Sequence, residues 1–455
     1  MRRPNPILAL LAMLAFAASG HPSSFEPAVA PAEKQTKWPT RTIQISISNS
    51  LTALATGIRP GSDVDGALRR ALASWASAAD VTFIEADSNL QSISPAGEGD
   101  GISLITIAPT PDNLAVVSEG NATARTRVFY DSETGAINEA DIVLNPYVYG
   151  PDGQPLEFST DGTPGTYDLE STLTHEIGHL LGLTHSSVIA STMQSSQGLN
   201  GTYGLAALTE RSLSEVDRVA IRNIYGPCGK QGSVKGRILN SVDGRLVPVQ
   251  AAHVWLEDLQ TGRVVASELT NSSGTFRIGC VEPGNYRAMI EYLDVPAADP
   301  FALTGPGNGR AGMGRRAFRS VEINSQLRID SEKPAQLGYV FVSPQNTQPL
   351  VNPRFLGANG ELSTVPVPVT AGSRVTVYVA GEGVDRIPGS GLLVSSPFIS
   401  VDAGSLTAQR FIGATPVISF DVIIGVNAPT GDYSLRFQSY SGEVAFLAGG
   451  LTVQP

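Results

Sequence analysis

The sequence predicts a multidomain chain, an α+β domain followed by two all-β sandwich domains. Its 455 residues amount to roughly three typical domains of about 100–150 residues each. Helical periodicity is confined to the first half, and past Gly226-Pro227-Cys228 short alternating runs are separated by turns about every 8–12 residues, as in sandwiches. The 47 Gly and 31 Pro, roughly a sixth of the chain, supply the turns such domains need. A hydrophobic share of 42% with 16% charged residues excludes a coiled coil, collagen and wholesale disorder. The formal net charge of −11 leaves no basic field for nucleic acid or an anionic membrane surface.

Residues 1–20 read as a signal peptide. Met1-Arg2-Arg3 is cationic, Ile7 to Ala18 is apolar, and Ala18-Ser19-Gly20 offers small residues at a cleavage site. The apolar run is shorter than the roughly 20 residues of a membrane span, so export without a membrane span is expected. Residues 21–37 form a short N-terminal segment that could serve as a pro-segment. The first domain is expected over 38–227. In Arg41 to Ser48, Ile43, Ile45 and Ile47 alternate as on a half-buried strand. Ser62 or Asp63 can cap a following helix, whose Leu68, Leu72 and Trp75 form an inward stripe. Strand signals recur at Val81–Ile84 and Ile102–Ile107, and Thr126–Tyr130 with Ile137–Leu144 suggest a hairpin across Asp131 to Gly135. After a Pro-, Gly- and Asp-rich loop a helix starts around Asp168, and the domain closes with a helix from Ser214 to Tyr225, with Ser214 and Asp217 placed as a capping box.

The two β domains are expected over 228–343 and 344–455, divided by the polar, Pro-bearing stretch Ser343 to Pro349. In the second, Val375, Val377 and Val379 alternate, as do Tyr433, Leu435 and Phe437. The chain has two cysteines, Cys228 and Cys280, an even pair in an exported protein. One disulfide is expected, the alternative being two separate buried thiols.

The chain has five His, and three of them stand in His175-Glu176-Ile177-Gly178-His179-Leu180-Leu181-Gly182-Leu183-Thr184-His185. At 3.6 residues per turn His175 and His179 share one helix face, so both imidazoles can reach one ion. Glu176, about 100° round the helix, can stand beside that ion as a base. Gly182 can take positive φ and end the helix, so that His185 comes back as a third ligand. Three neutral ligands leave a fourth position for water. Zinc held this way lowers the pKa of water from 15.7 to about 7, which points to hydrolysis of a peptide bond with Glu176 moving the proton.

This sequence resembles the metzincin zinc proteases, and among them the matrixins. Metzincins carry His-Glu-x-x-His-x-x-Gly-x-x-His followed by a Met in a tight turn. Here the Ser after His185 and the Met at 193 are similar to the matrixin form. The resemblance covers about residues 38–226. It implies that the α+β domain is a metzincin catalytic domain, with His175, His179 and His185 as zinc ligands, Glu176 as the catalytic base and Met193 as a structural Met-turn. The substrates would be proteins or peptides; the leader marks the chain as secreted or displayed at the cell surface, and a monomer is expected. One catalytic Zn2+ is implied. Ca2+ is a further expectation, for which the loop Pro151 to Gly162 offers oxygen donors. No His lies between 21 and 175, so the second, structural zinc of animal matrixins is not expected. No Cys precedes 228, so latency through a pro-segment thiol is not expected either, although Glu26 or Glu33 could cover the zinc. No Tyr follows two residues after Met193. Residues 232–286 resemble the carboxypeptidase regulatory-like sandwich, and the last domain resembles bacterial Ig-like modules. His253 is expected to be an ordinary strand residue.

The specificity pocket is expected from Gln194 to Arg211, and a peptide should pair along an edge strand, although no such strand is evident between Leu144 and the catalytic helix. Activity is expected to fall in acid as protons compete for the three His. The alternative reading is a surface or matrix adhesion protein with an inactive metzincin scaffold.

Overall fold

The computed structural model describes residues 35–97, 99–117, 122–150, 153–205, 211–242, 244–293, 318–344, 350–410 and 415–455. The expected leader, Glu26, Glu33 and most of the Ser343–Pro349 linker lie outside the described residues. The described chain is mostly β-sheet with few helices.

The N-terminal unit comprises β1 (Thr42–Ser48), α1 (Val64–Ala78), β2 (Thr82–Ser88), β3 (Leu104–Thr106), α2 (Pro111–Val117), β4 (Ala124–Tyr130), β5 (Ile137–Leu144), α3 (Leu169–Leu180) and α4 (Glu215–Tyr225). Its sheet has the order β2-β1-β3-β5-β4. β1, β2, β3 and β5 are parallel, and β4 runs antiparallel to β5 at the edge. The β4–β5 hairpin lies where the alternation places it. α2 was not among the expected elements: Pro111 and Asp112 suit a helix start, but seven residues are too few to display a period.

Asp63 caps α1 by accepting from the Gly66 N–H. The stripe Leu68, Leu72 and Trp75 is buried, and it shares one core with Ile43 and Ile45 of β1, Ile142 of β5 and Leu173 and Ile177 of α3. The Trp75 indole N–H donates to the Thr174 carbonyl of α3 at 2.8 Å. A buried indole needs such a partner, and here the bond ties the two helices together. The segment at 36–38 docks behind α3: the Trp38 indole donates to Leu180 O at 2.9 Å and the Tyr225 hydroxyl to Leu181 O at 2.9 Å. Two carbonyls that the helix end leaves without partners are thereby satisfied.

The two following units are each a pair of facing sheets. In the first, strands 232–242, 245–248, 275–281 and 335–342 form one sheet, and strands 253–258, 264–269, 284–291 and 321–329 the other. Val234, Ile238 and Phe276 from one side meet Val254, Leu256 and Ile290 from the other. In the second, Val377, Val379 and Phe420 meet Tyr433, Leu435 and Phe437. These are the alternating residues of the sequence, turned inward. Cys228, just past α4, is disulfide-bonded to Cys280 with Cα atoms 4.8 Å apart. All three units meet in one apolar cluster, where Val188 and Val216 of the N-terminal unit pack with Trp255, Val264 and Met289 and with Phe446 and Ala448.

Candidate metal centre and active site

Asp168 caps α3, its carboxylate accepting from the Ser171 N–H. The Arg211 guanidinium clamps that carboxylate at 3.0 and 2.6 Å, so both loop ends around the helix start are held. At the other end Gly182 adopts φ 93°, and a Cβ there would lie 2.3 Å from the Thr36 carbonyl. Only glycine meets both demands. The reversal brings His185 back beside the helix.

The potential ligand atoms of His175, His179 and His185 all lie within 4.8 Å of one another. His175 Nε2 is 3.1 Å from His179 Nε2 and 3.2 Å from His185 Nε2. His175 Nδ1 is 2.7 Å from the Thr192 carbonyl and His179 Nδ1 is 2.9 Å from the Leu183 carbonyl. A carbonyl only accepts, so both Nδ1 atoms carry the proton and each Nε2 presents a lone pair. Facing lone pairs at this separation repel unless they share a cation, and the spacing is close to the edge of a tetrahedron with arms of about 2.0–2.1 Å. Burial, reinforced by His175, pushes the His179 pKa down to about 3. Burial, then His179 and His175, hold His185 well below its ordinary value. Neutral imidazoles are what a metal requires, so the donor set fits zinc.

Glu176 is buried, and its Oε2 accepts from the Thr126 hydroxyl of β4 at 2.6 Å. Thr126 reads in the sequence only as a strand residue. Its place beside Glu176 depends on a contact fifty positions away in the chain, for which no local signal exists. β4 is the sheet edge beside α3. Between Leu144 and α3 the described residues form two-residue strands, Val148–Tyr149 paired with Pro155–Leu156 and Phe158–Ser159 paired with Tyr167–Asp168.

Met193 is 2% exposed in the core beneath α3. Its sulfur occupies the space a side chain at Gly178 would need, since a Cβ there would lie 2.2 Å from Met193 Sδ. The turn itself is organised by Asp217 of α4, whose buried carboxylate accepts from the Thr192 N–H at 2.8 Å and the Ser191 hydroxyl at 2.5 Å. Asp217 also completes a capping box with Ser214. One carboxylate thus links the closing helix to the carbonyl that orients His175.

Of the loop expected to offer calcium donors, Pro151 and Asp152 lie outside the described residues. The Asp161 carboxylate accepts from the Thr163 hydroxyl at 2.7 Å and the Thr163 N–H at 3.1 Å. His253 is buried in its strand, with Nδ1 2.7 Å from Glu291 Oε1.

The matrixin family model matches residues 112–226. That stretch is about a quarter of the chain and runs from α2 through α4, with all three clustered histidines, Glu176 and Met193 inside it. No curated protein matches the chain. Similar solved structures include the major pilin subunit BcpA of Bacillus cereus, with 13% identity over 48% of this chain and 66% of that one and a TM-score of 0.17. The minor pilin GBS52 of Streptococcus agalactiae has 12% identity over 27% and 48%, with a TM-score of 0.17. The RrgB pilus protein of Streptococcus pneumoniae has 12% identity over 46% and 48%, also at 0.17. The chain spans about half to two thirds of these proteins. Scores this low define no shared fold.

Proposed function

We propose that the chain is a secreted zinc-dependent endopeptidase, acting as a monomer on protein or peptide substrates. In this reading a signal peptide (1–20) and a short segment (21–37) precede a matrixin-like catalytic domain (38–227), a carboxypeptidase regulatory-like sandwich (228–343) and an Ig-like sandwich (344–455). The observation that carries it is the convergence of three imidazoles beside a buried carboxylate, next to a sheet edge. Among the described residues no helix is long and apolar enough to cross a membrane.

His175, His179 and His185 would hold the zinc. When bound, the ion supplies Lewis-acid polarisation of water and of the scissile carbonyl. Glu176 receives the proton of the attacking water and returns it to the leaving amine. Thr126 holds Oε2 of that carboxylate, so the base keeps one orientation through both transfers. Thr192 and Leu183 hold the two ring N–H groups that aim His175 and His179. β4 pairs only with β5 among the described residues, and an extended substrate would add to its other edge by main-chain pairing.

The test is cleavage of a mixed peptide library by the mature chain, with and without a zinc chelator, beside Glu176→Ala. Chelator-sensitive cleavage is expected to fall by about 10²–10⁴-fold in the variant, which should keep one bound zinc per chain. Cleavage that survives both treatments rules the mechanism out. A chain that neither binds zinc nor cuts peptides turns the reading to adhesion.

A further inference from the structure

We infer that the C-terminal sandwich is part of the substrate-selecting apparatus, with Tyr203 as a positioning residue that fixes the segment following Met193; the inference rests on the endopeptidase reading. Tyr203 belongs by sequence to the N-terminal unit, yet its side chain is fully buried among the core residues of the C-terminal sandwich, with Leu356, Val365 and Val367. Its hydroxyl donates to the Val365 carbonyl at 2.8 Å. Its backbone is gripped on both sides: the N–H donates to Glu361 Oε2 at 2.7 Å, and the carbonyl accepts from Asn359 Nδ2 at 2.7 Å.

The backbone records the same constraint. Tyr203 adopts φ 63°, between Gly201 at 86° and Gly204 at 68°. A tyrosine enters the left-handed region only where its surroundings over-determine it. Gly198 passes so close to the sandwich that a Cβ there would lie 2.9 Å from Val365 Cγ1.

The other end of this strap lies against the catalytic helix. Gln197 Oε1 accepts from the Thr172 hydroxyl at 2.9 Å, and Gln197 Nε2 donates to Asp168 O at 3.2 Å. Asn200 N–H donates to Thr166 O, and Gly165 N–H to Asn200 O, both at 2.8 Å. Thr172 and Glu176 are four residues apart on α3, one turn of about 6 Å. The strap therefore runs from one turn upstream of the base into the core of another domain. Residues before Met193 are held by the same sandwich, where Ile189 N–H donates to Ala448 O at 2.8 Å and a Cβ at Gly449 would lie 2.6 Å from Val188 Cγ1.

Contacts on both sides of Met193 thus come from the C-terminal sandwich, and none of them involves a zinc ligand. The strap's course beside Thr172 limits which substrate side chains fit there. Tyr203 and the exposed turn at Asn359 and Glu361 set that course. Loosening them should change which peptides are cut and leave the metal site intact.

The test uses the full mature chain. Asn359→Ala combined with Glu361→Ala removes both backbone grips at exposed positions, and Tyr203→Phe removes only the buried hydroxyl, which lies 2.8 Å from the Val365 carbonyl and 3.3 Å from the Leu356 carbonyl. Three quantities are read: hydrogen exchange over residues 194–205, bound zinc, and kcat/KM across peptides varied at the positions flanking the cut. The double variant should exchange at least tenfold faster over 194–205 and shift the ratio of kcat/KM between preferred and disfavoured peptides at least fivefold, with one zinc retained. Tyr203→Phe should move both readouts in the same direction by less. Faster exchange with an unchanged cleavage profile would overturn the inference, as would unchanged exchange. A wild type that cuts nothing while holding zinc sinks the endopeptidase reading and the selective role with it; the exchange data then still report whether the turn holds the strap.

Discussion

Gly178 stands between His175 and His179 on α3 and has no room for a methyl group: a Cβ would lie 2.2 Å from Met193 Sδ and 2.8 Å from Trp75 Cζ2. On an isolated helix Gly→Ala gains about 1 kcal/mol. Here overpacking of a rigid core, which costs about 1–3 kcal/mol, should dominate. Gly178→Ala is therefore expected to lower stability in urea, and a variant as stable as wild type would contradict the packing of Met193 beneath the helix. At this scale the sequence is uneven in what it discloses. His175, Glu176 and His179 are legible because one turn of helix fixes their mutual directions. The reason for glycine at 178 is not, because the atom that excludes a side chain arrives from fifteen residues further on.

α4 was legible as an element, with its capping box at Ser214 and Asp217, but its second task was not. The Asp217 carboxylate also accepts from Ser191, Thr192 and Met193. Asn at this position keeps one accepting oxygen and leaves buried donors unmatched, each at about 1–3 kcal/mol. Asp217→Asn is thus expected to cost more than the loss of a cap alone, about 1 kcal/mol. It should also weaken zinc binding by roughly tenfold or more, because Thr192 orients His175. Isothermal titration with zinc beside urea unfolding checks both. Unchanged affinity in a destabilised variant would confine Asp217 to helix capping.

At the level of the whole molecule the three units share buried charge as well as apolar surface. Asp432 of the C-terminal sandwich is buried, and its carboxyl is pushed up to about 7, by burial first and then by Asp217 and Glu215 of α4, against the Thr452 hydroxyl bond and Arg263. Its ordinary value is 3.8. Between about pH 4 and 7 the folded chain keeps a proton that the unfolded chain has released, so this group's contribution to stability falls as pH rises through that window. Asp432→Asn cannot ionise and still offers Thr452 an acceptor. Its stability relative to wild type is expected to improve from pH 5 to pH 8. An equal difference at both pH values in urea unfolding would show that Asp432 does not titrate across this window.

The local pattern of residues was enough for the helix that carries the histidines, the reversal at Gly182, the β4–β5 hairpin and inward-facing strands of the second sandwich. Each of these is set by periodicity or by a single residue's backbone freedom, and such information is present in a short window of chain. Thr126 beside Glu176, Asp217 beneath the Met193 turn and Tyr203 inside another domain's core required the folded chain. These contacts join residues from about twenty-five to more than one hundred and fifty positions apart, and nothing in their immediate neighbours distinguishes them from ordinary strand, helix or loop residues. Sequence spacing aligns His175 and His179 along one helix, whereas the surroundings that orient Glu176 and the Met193 turn depend on how distant elements pack.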